Sequence, residues 1–162
     1  MGTVDTARVS LASLGLTLLV ACGRARDADD FAAMQTRGAH VMGVNQYTSA
    51  HVFEDLPDGG RVVLERADAT DTADVTTIRA HMRDIAAAFR AGDFTKPFAV
   101  HAQIVPGTDV MTAKRSLIEY DASDRPRGGE VRIRSNDPAA VEAIHQFLAF
   151  QRTEHHAASH EP

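Results

Sequence analysis

Histidine is the residue type in this chain best suited to chemistry. There are eight: His40, His51, His81, His101, His145, His155, His156 and His160. Imidazole is the commonest metal ligand and titrates near neutral pH. Methionines at 34, 42, 82 and 111 add thioether sulfurs, which suit soft ions such as Cu(I). The candidate metal- or ligand-binding set is therefore His51, His81, His101 and His145, each offering a neutral ring nitrogen, with Met42 or Met82 as a soft partner. The ion in view is a transition metal, copper or zinc. Spacing alone does not bring the set together. There is no HExxH and no Cys/His knuckle, only His40-Val41-Met42 and the adjacent pair His81-Met82. At 100° per residue, His81 and His145 sit about 80° from the centres of their helices' apolar stripes. His51 shares a strand face with Phe53, and His101 shares one with Gln103. His155, His156 and His160 read as a solvated, frayed end, with His155 on the inner stripe of the last helix only if that helix continues so far.

Other groups point less sharply. Arg125 and Arg127, with Arg132 and Arg134, gather on one hairpin and offer an anion grip or a plain solvated face. Asp68, Asp71 and Asp74 suit helix capping or calcium. Gly59-Gly60 and Gly128-Gly129 read as turn glycines. No G-x-S-x-G, Walker loop or G-x-G-x-x-G occurs, so no standard catalytic set is visible. A net charge of -5 over 162 residues leaves no basic footprint for nucleic acid. With one cysteine, Cys22, no internal disulfide forms.

The elements that must position these residues follow from pattern. Phe31 and Met34 suggest a short helix ending at Gly38. Residues 47–56 and 61–66 flank Pro57-Asp58-Gly59-Gly60, a hairpin turn. Residues 72–91 form a helix capped by Asp71 and ended by Gly92, with Val75, Ile78, Met82, Ile85 and Phe89 in one stripe. Residues 98–105 alternate weakly and read as a strand ended by Pro106-Gly107. A second hairpin joins 116–121 to 130–135. Asp137 then caps a helix with Pro138 at its first position and Val141, Ile144, Leu148 and Gln151 on its inner stripe.

The two halves are alike. Gly60 precedes Ile78 by 18 residues, and Gly129 precedes Ile144 by 15, so a three-residue indel aligns them. The expectation is an α+β fold: an antiparallel sheet from two ββα units, with helices packed on one face.

The N-terminus carries an address. Residues 1–8 are polar, and 9–21 (VSLASLGLTLLVA) form an apolar run suited to the core of a signal peptide, too short to span a bilayer. It ends in Leu19-Val20-Ala21-Cys22, which resembles the lipobox of bacterial lipoproteins. That resemblance implies cleavage before Cys22, a diacylglyceryl thioether on its sulfur, and membrane attachment through the lipid. Gly23, rather than Asp, leans toward an outer-membrane, periplasm-facing location. The expected organisation is a signal peptide over 1–21, a lipidated tether over 22–29, one domain over 30–153, and a flexible tail over 154–162. Most of residues 30–156 is also similar to a group of small bacterial secreted proteins, on "HVMGVNQYTSAHVFEDLPDGG", "IRAHMRDIAAAFRAGDF" and "AIHQFLAFQRTEH". Some of that group carry the label aspartate carbamoyltransferase. The label implies a considerably longer chain with a Ser-Thr-Arg-Thr phosphate loop, which this sequence lacks, so it brings no catalytic residue. Three readings stay open: a histidine-lined binding domain, a structural or interaction lipoprotein, and a small hydrolase or transferase with a histidine base.

Overall fold

The computed structural model describes residues 14–68 and 70–157, with side chains from residue 27 on apart from Gln46. Residues 1–13 of the expected signal peptide, the Cys22 side chain and residues 158–162 lie outside the described residues. Among the described residues, five α-helices and four strands follow in the order α1 (Leu14–Met42), β1 (Ser49–Leu56), β2 (Gly59–Arg66), α2 (Thr72–Arg90), α3 (Thr95–His101), α4 (Thr108–Ala113), β3 (Ile118–Arg125), β4 (Gly128–Ser135) and α5 (Pro138–Glu154). The strands form one antiparallel sheet in the order β1-β2-β4-β3. This is the expected α+β fold.

Each hairpin turns on two residues, Pro57-Asp58 and Pro126-Arg127, because Leu56 pairs with Gly59 and Arg125 with Gly128. The glycines expected in the turns instead begin β2 and β4. They are needed there for space. A Cβ on Gly60 would meet Leu148 Cδ1 at 2.2 Å, and one on Gly129 would meet Met82 Cγ at 2.9 Å. Small residues on the central strands let α5 and α2 lie close on the sheet.

The internal repeat is a pseudo-two-fold. Adding 69 to a β1 or β2 number gives its counterpart, from Ser49 to Ile118 and from Gly59 to Gly128. The β2–β4 register maps onto itself: Gly59↔Arg134 becomes Gly128↔Glu65, with Val62↔Val131 at the centre. In the helices the offset is 66, from N-cap Asp71 to N-cap Asp137 and from Ile78 to Ile144. The three-residue difference sits in the links, where the first unit's Asp68 and Asp71 make local turn and cap contacts. Both Ile78 and Ile144 are fully buried. The units exchange helices: α2 covers β3 and β4, while α5 covers β1 and β2.

Between the units runs α3, where the sequence suggested a strand. Pro97 falls in its first turn, where a missing N–H costs nothing. Ala102 takes the left-handed conformation at φ 54 and closes it with an N–H to Phe98 O. Pro97, Val100 and His101 are its buried side, so His101 points inward from a helix end and shares no strand face with Gln103. α1 also departs from expectation. Its backbone is helical across the residues expected as a tether, and it passes through Gly38. Met34, Gly38 and Met42 recur every four residues as a buried stripe, so Gly38 serves packing. Gly43, at φ 72, is where the helix stops.

The sheet's other face is a lattice of ion pairs. Arg61 meets Glu54 at 2.5 Å, Arg132 meets Asp58, and Arg134 meets Asp121. Arg125 binds Glu65 at 3.2 Å and Glu130 at 2.9 Å, and Arg127 reaches Glu65 at 3.6 Å. Carboxylates already hold the two arginines considered for an anion, which makes them part of a solvated strand face.

Candidate functional site

Five of the six residues singled out for metal or ligand binding line one cavity. His51 comes from β1, His81 and Met82 from α2, His101 from the end of α3, and Met42 from the end of α1. The sixth, His145, is elsewhere: its Nε2 lies 3.0 Å from the Leu56 carbonyl, which ties α5 to the first hairpin. Its pseudo-symmetric counterpart Arg79 reaches the Arg125 carbonyl, so His145 has a structural post.

The cavity holds about 70 Å³, room for roughly two waters at about 30 Å³ each. Its walls are otherwise apolar, built from Phe53, Leu64, Phe89, Phe147 and their neighbours, with Gln151 and Lys96 as the polar exceptions. Lys96 is held by Asp84 at 2.9 Å.

A further member is His155, which joins the inner stripe because α5 runs to Glu154. His155, placed in a frayed tail, caps the C-terminus of α5 and packs inward. Its ring lies 4.9 Å from that of His51, 5.2 Å from that of His101 and 5.4 Å from that of Phe53. The signal was present, since 141, 144, 148, 151 and 155 continue the 3-4-3-4 spacing of the inner stripe. His156 is also engaged, stacked on Phe31 with centroids 4.2 Å apart.

Three ring nitrogens in this cluster are buried without a hydrogen-bond partner: His51 Nε2, His101 Nδ1 and His155 Nδ1. Buried polar atoms are normally satisfied, and each exception calls for a reason. His101 spends its other nitrogen on Gln151 Oε1 at 3.0 Å. Burial disfavours the charged imidazolium, so these rings are neutral at ordinary pH. His51 is lowered to about 4 by burial and then by His81. His81 is lowered to about 4, chiefly by burial. Burial, then His51 and His101, lower His155 to about 3. His101 is lowered by burial, against the pull of Gln151 and Glu154.

No family model, curated protein or solved structure matches this chain significantly.

Applying the repeat offsets pairs His51 with Tyr120, His81 with Phe147, and His155 with Phe89. In the aromatic half, Phe89 packs against Tyr120 at 6.0 Å and against Phe147 at 5.8 Å. One half thus fills these positions with an aromatic core, and the other fills them with imidazoles. The fold does not require histidine there. Among the described residues, no group of three or more His, Cys, Asp or Glu is arranged to hold a metal ion. The arrangement offers lone pairs in a small, partly open and mostly apolar cavity, whose described lining holds no carboxylate, serine or cysteine to serve as nucleophile or orienting partner.

Proposed function

We propose that this chain is a lipid-anchored cell-envelope protein whose α+β domain binds a small ligand in the histidine-lined cavity. The observation that carries the binding reading is the set of three unpartnered imidazole nitrogens. They come from three separate elements and gather at one cavity; the repeat sets Phe89 against His155 and Tyr120, whose hydroxyl is itself buried without a partner, against His51. Binding is favoured over catalysis. A general base works best with a pKa near the operating pH, and His51, His81 and His155 fall well below it.

The anchor rests on the Leu19-Val20-Ala21-Cys22 motif, and Gly23 supports an outer-membrane, periplasm-facing site. Among the described residues no helix is long and apolar enough to cross a membrane, so attachment in this reading is through lipid alone. A diacylglyceryl chain pair anchors stably where one chain would be marginal. Mass spectrometry of protein extracted from membranes is expected to give an N-terminal peptide beginning at Cys22 and carrying a diacylglyceryl thioether. A peptide beginning at Met1, with a free thiol, would remove the anchor from the proposal. The binding half is tested by thermal unfolding with transition-metal ions and small neutral organic molecules. A ligand present at 100 times its Kd stabilises the fold by about 2.7 kcal/mol. No shift with any of them would count against it.

A further inference from the structure

We propose that the end of α5, residues 153–157, is an acid-operated gate: a proton on His155 swings this turn out of the cavity wall and opens the cavity toward the groove beside it. The proposal rests on how the turn is packed and does not depend on what the cavity binds.

The turn divides two spaces. An open groove of about 530 Å³ runs along α1 and the C-terminal end of α5. His155 lines the inner cavity, while its chain neighbours Glu154 and His156 line the groove, and His101 lines both. The two sides differ in charge. Facing His155 inside are His51 of β1, with ring centroids 4.9 Å apart, and His101 of α3, at 5.2 Å. Beyond them, His81 of α2 lies close enough to act on His51, and Lys96 of α3 is held by Asp84 of α2. No carboxylate lines the cavity. An imidazolium formed there has no counter-charge in an apolar wall, which is costly. On the groove side, Asp27, Asp30 and Glu154 stand against one arginine, Arg37. An excess of carboxylates favours a cation, so the charged ring is drawn outward.

The turn is also the cheapest place to relieve the charge. Arg152 is bound to Asp55 of β1 at 2.7 Å and donates to the Phe53 carbonyl, so it anchors the helix and movement begins after it. Release then breaks three main-chain hydrogen bonds, from the N–H groups of His155, His156 and Ala157 to the carbonyls of Gln151, Thr153 and Arg152, and the stacking of His156 on Phe31. His51 lies within an eight-residue strand and His81 within a nineteen-residue helix, so freeing either would take apart far more. His156 has φ 49, a left-handed conformation that disfavours residues other than glycine. The repeat supplies the contrast. α2 runs one residue past Phe89, the counterpart of His155, whereas α5 stops one residue short of His155. The α2 end is closed by a ring that cannot ionise.

The sign follows from linkage. In the closed turn burial, then the neighbouring imidazoles, lower His155 to about 3, and a released ring returns toward 6.5. The open fraction is therefore flat above about pH 6.5 and grows as the pH falls, by about eightfold from pH 7 to pH 5.5.

Amide hydrogen exchange of the full chain, with each rate corrected for its intrinsic pH dependence, reads this at His155, His156 and Ala157. Their opening is expected to rise about eightfold between pH 7 and pH 5.5, and by less than about twofold in His155→Phe. A second comparison needs no variant. Ala91, Gly92 and Asp93 close the end of α2 with N–H groups to Ala87, Phe89 and Ala88, and their opening should change by less than about twofold. No rise at the α5 amides, an equal rise in His155→Phe, or an equal rise at both helix ends would overturn the gate. Any of these would leave the binding reading standing, because no ligand enters the experiment.

Discussion

On lowering the pH from 7 to 5, the protein is expected to lose on the order of 5 kcal/mol of stability, comparable to the whole stability of a small domain. The cause is the buried imidazole cluster. His51, His81 and His155 have folded-state pKa values of about 4, 4 and 3 against 6.5 for an exposed histidine. Between those limits the unfolded chain binds protons that the folded chain refuses, so stability rises with pH. The contribution is complete above about pH 6.5 and is lost as the pH falls toward 4, each histidine costing about 2 kcal/mol by pH 5. Aspartates held low by their partners, such as Asp71 by the Asp74 N–H and Arg66, and Asp137 by Lys114 and the Ala140 N–H, weaken the fold only at lower pH. Urea unfolding at pH 7 and pH 5 measures the effect directly. Equal midpoints at the two values would mean that the rings are hydrated or paired in solution.

Replacing His51 and His155 together by phenylalanine is expected to preserve the fold and flatten that pH dependence. The mates of these positions, Tyr120 and Phe89, already show that the backbone accepts aromatic rings there. The 70 Å³ cavity gives the larger rings room. The variant should match or exceed the parent at pH 7, through added apolar burial of about 1 kcal/mol or more. From pH 7 to pH 5 it should lose about 4 kcal/mol less than the parent. His145→Phe is the contrasting variant. It frees the Leu56 carbonyl from its 3.0 Å partner, and it should cost about 1 kcal/mol at pH 7. If the double variant unfolds at pH 7, the histidines are packing residues and the cluster was selected for structure.

The elements built on local rules were legible in the sequence. Asp71 and Asp137 cap the helices expected of them, through the Asp74 and Ala140 N–H groups. The stripe from Val75 to Phe89 is buried as its spacing required. The repeat emerged from Gly60, Gly129 and two isoleucines, because a repeated backbone constrains the same small and branched residues twice. Residues 98–105 were misread as a strand because a seven-residue helix is too short to establish a 3.6-residue period. Its stop is an alanine with positive φ, which carries no compositional flag. Gly38 was misread as a stop because packing and capping both favour glycine, and only burial separates them.

At the site, residue type pointed to His51, His81, His101, Met42 and Met82, but not to their meeting. The exchange of helices between the units, which carries α5 over β1, has no local signature. It is what brings His155 onto His51. His145 lies on the same α5 at a flank, and its partner is a carbonyl of the first hairpin. Periodicity separates those two fates once α5 reaches its end at Glu154, with His155 on the inner stripe and His145 on the flank.

Native mass spectrometry of the mature protein, extracted gently from the membranes of cells that make it, tests the central claim most directly. A chain with His51 and His155 intact should carry one bound species, and the double phenylalanine variant prepared in the same way should carry none. A mass equal to that of the bare polypeptide for the parent as well as for the variant would contradict the claim that these imidazoles form a binding site.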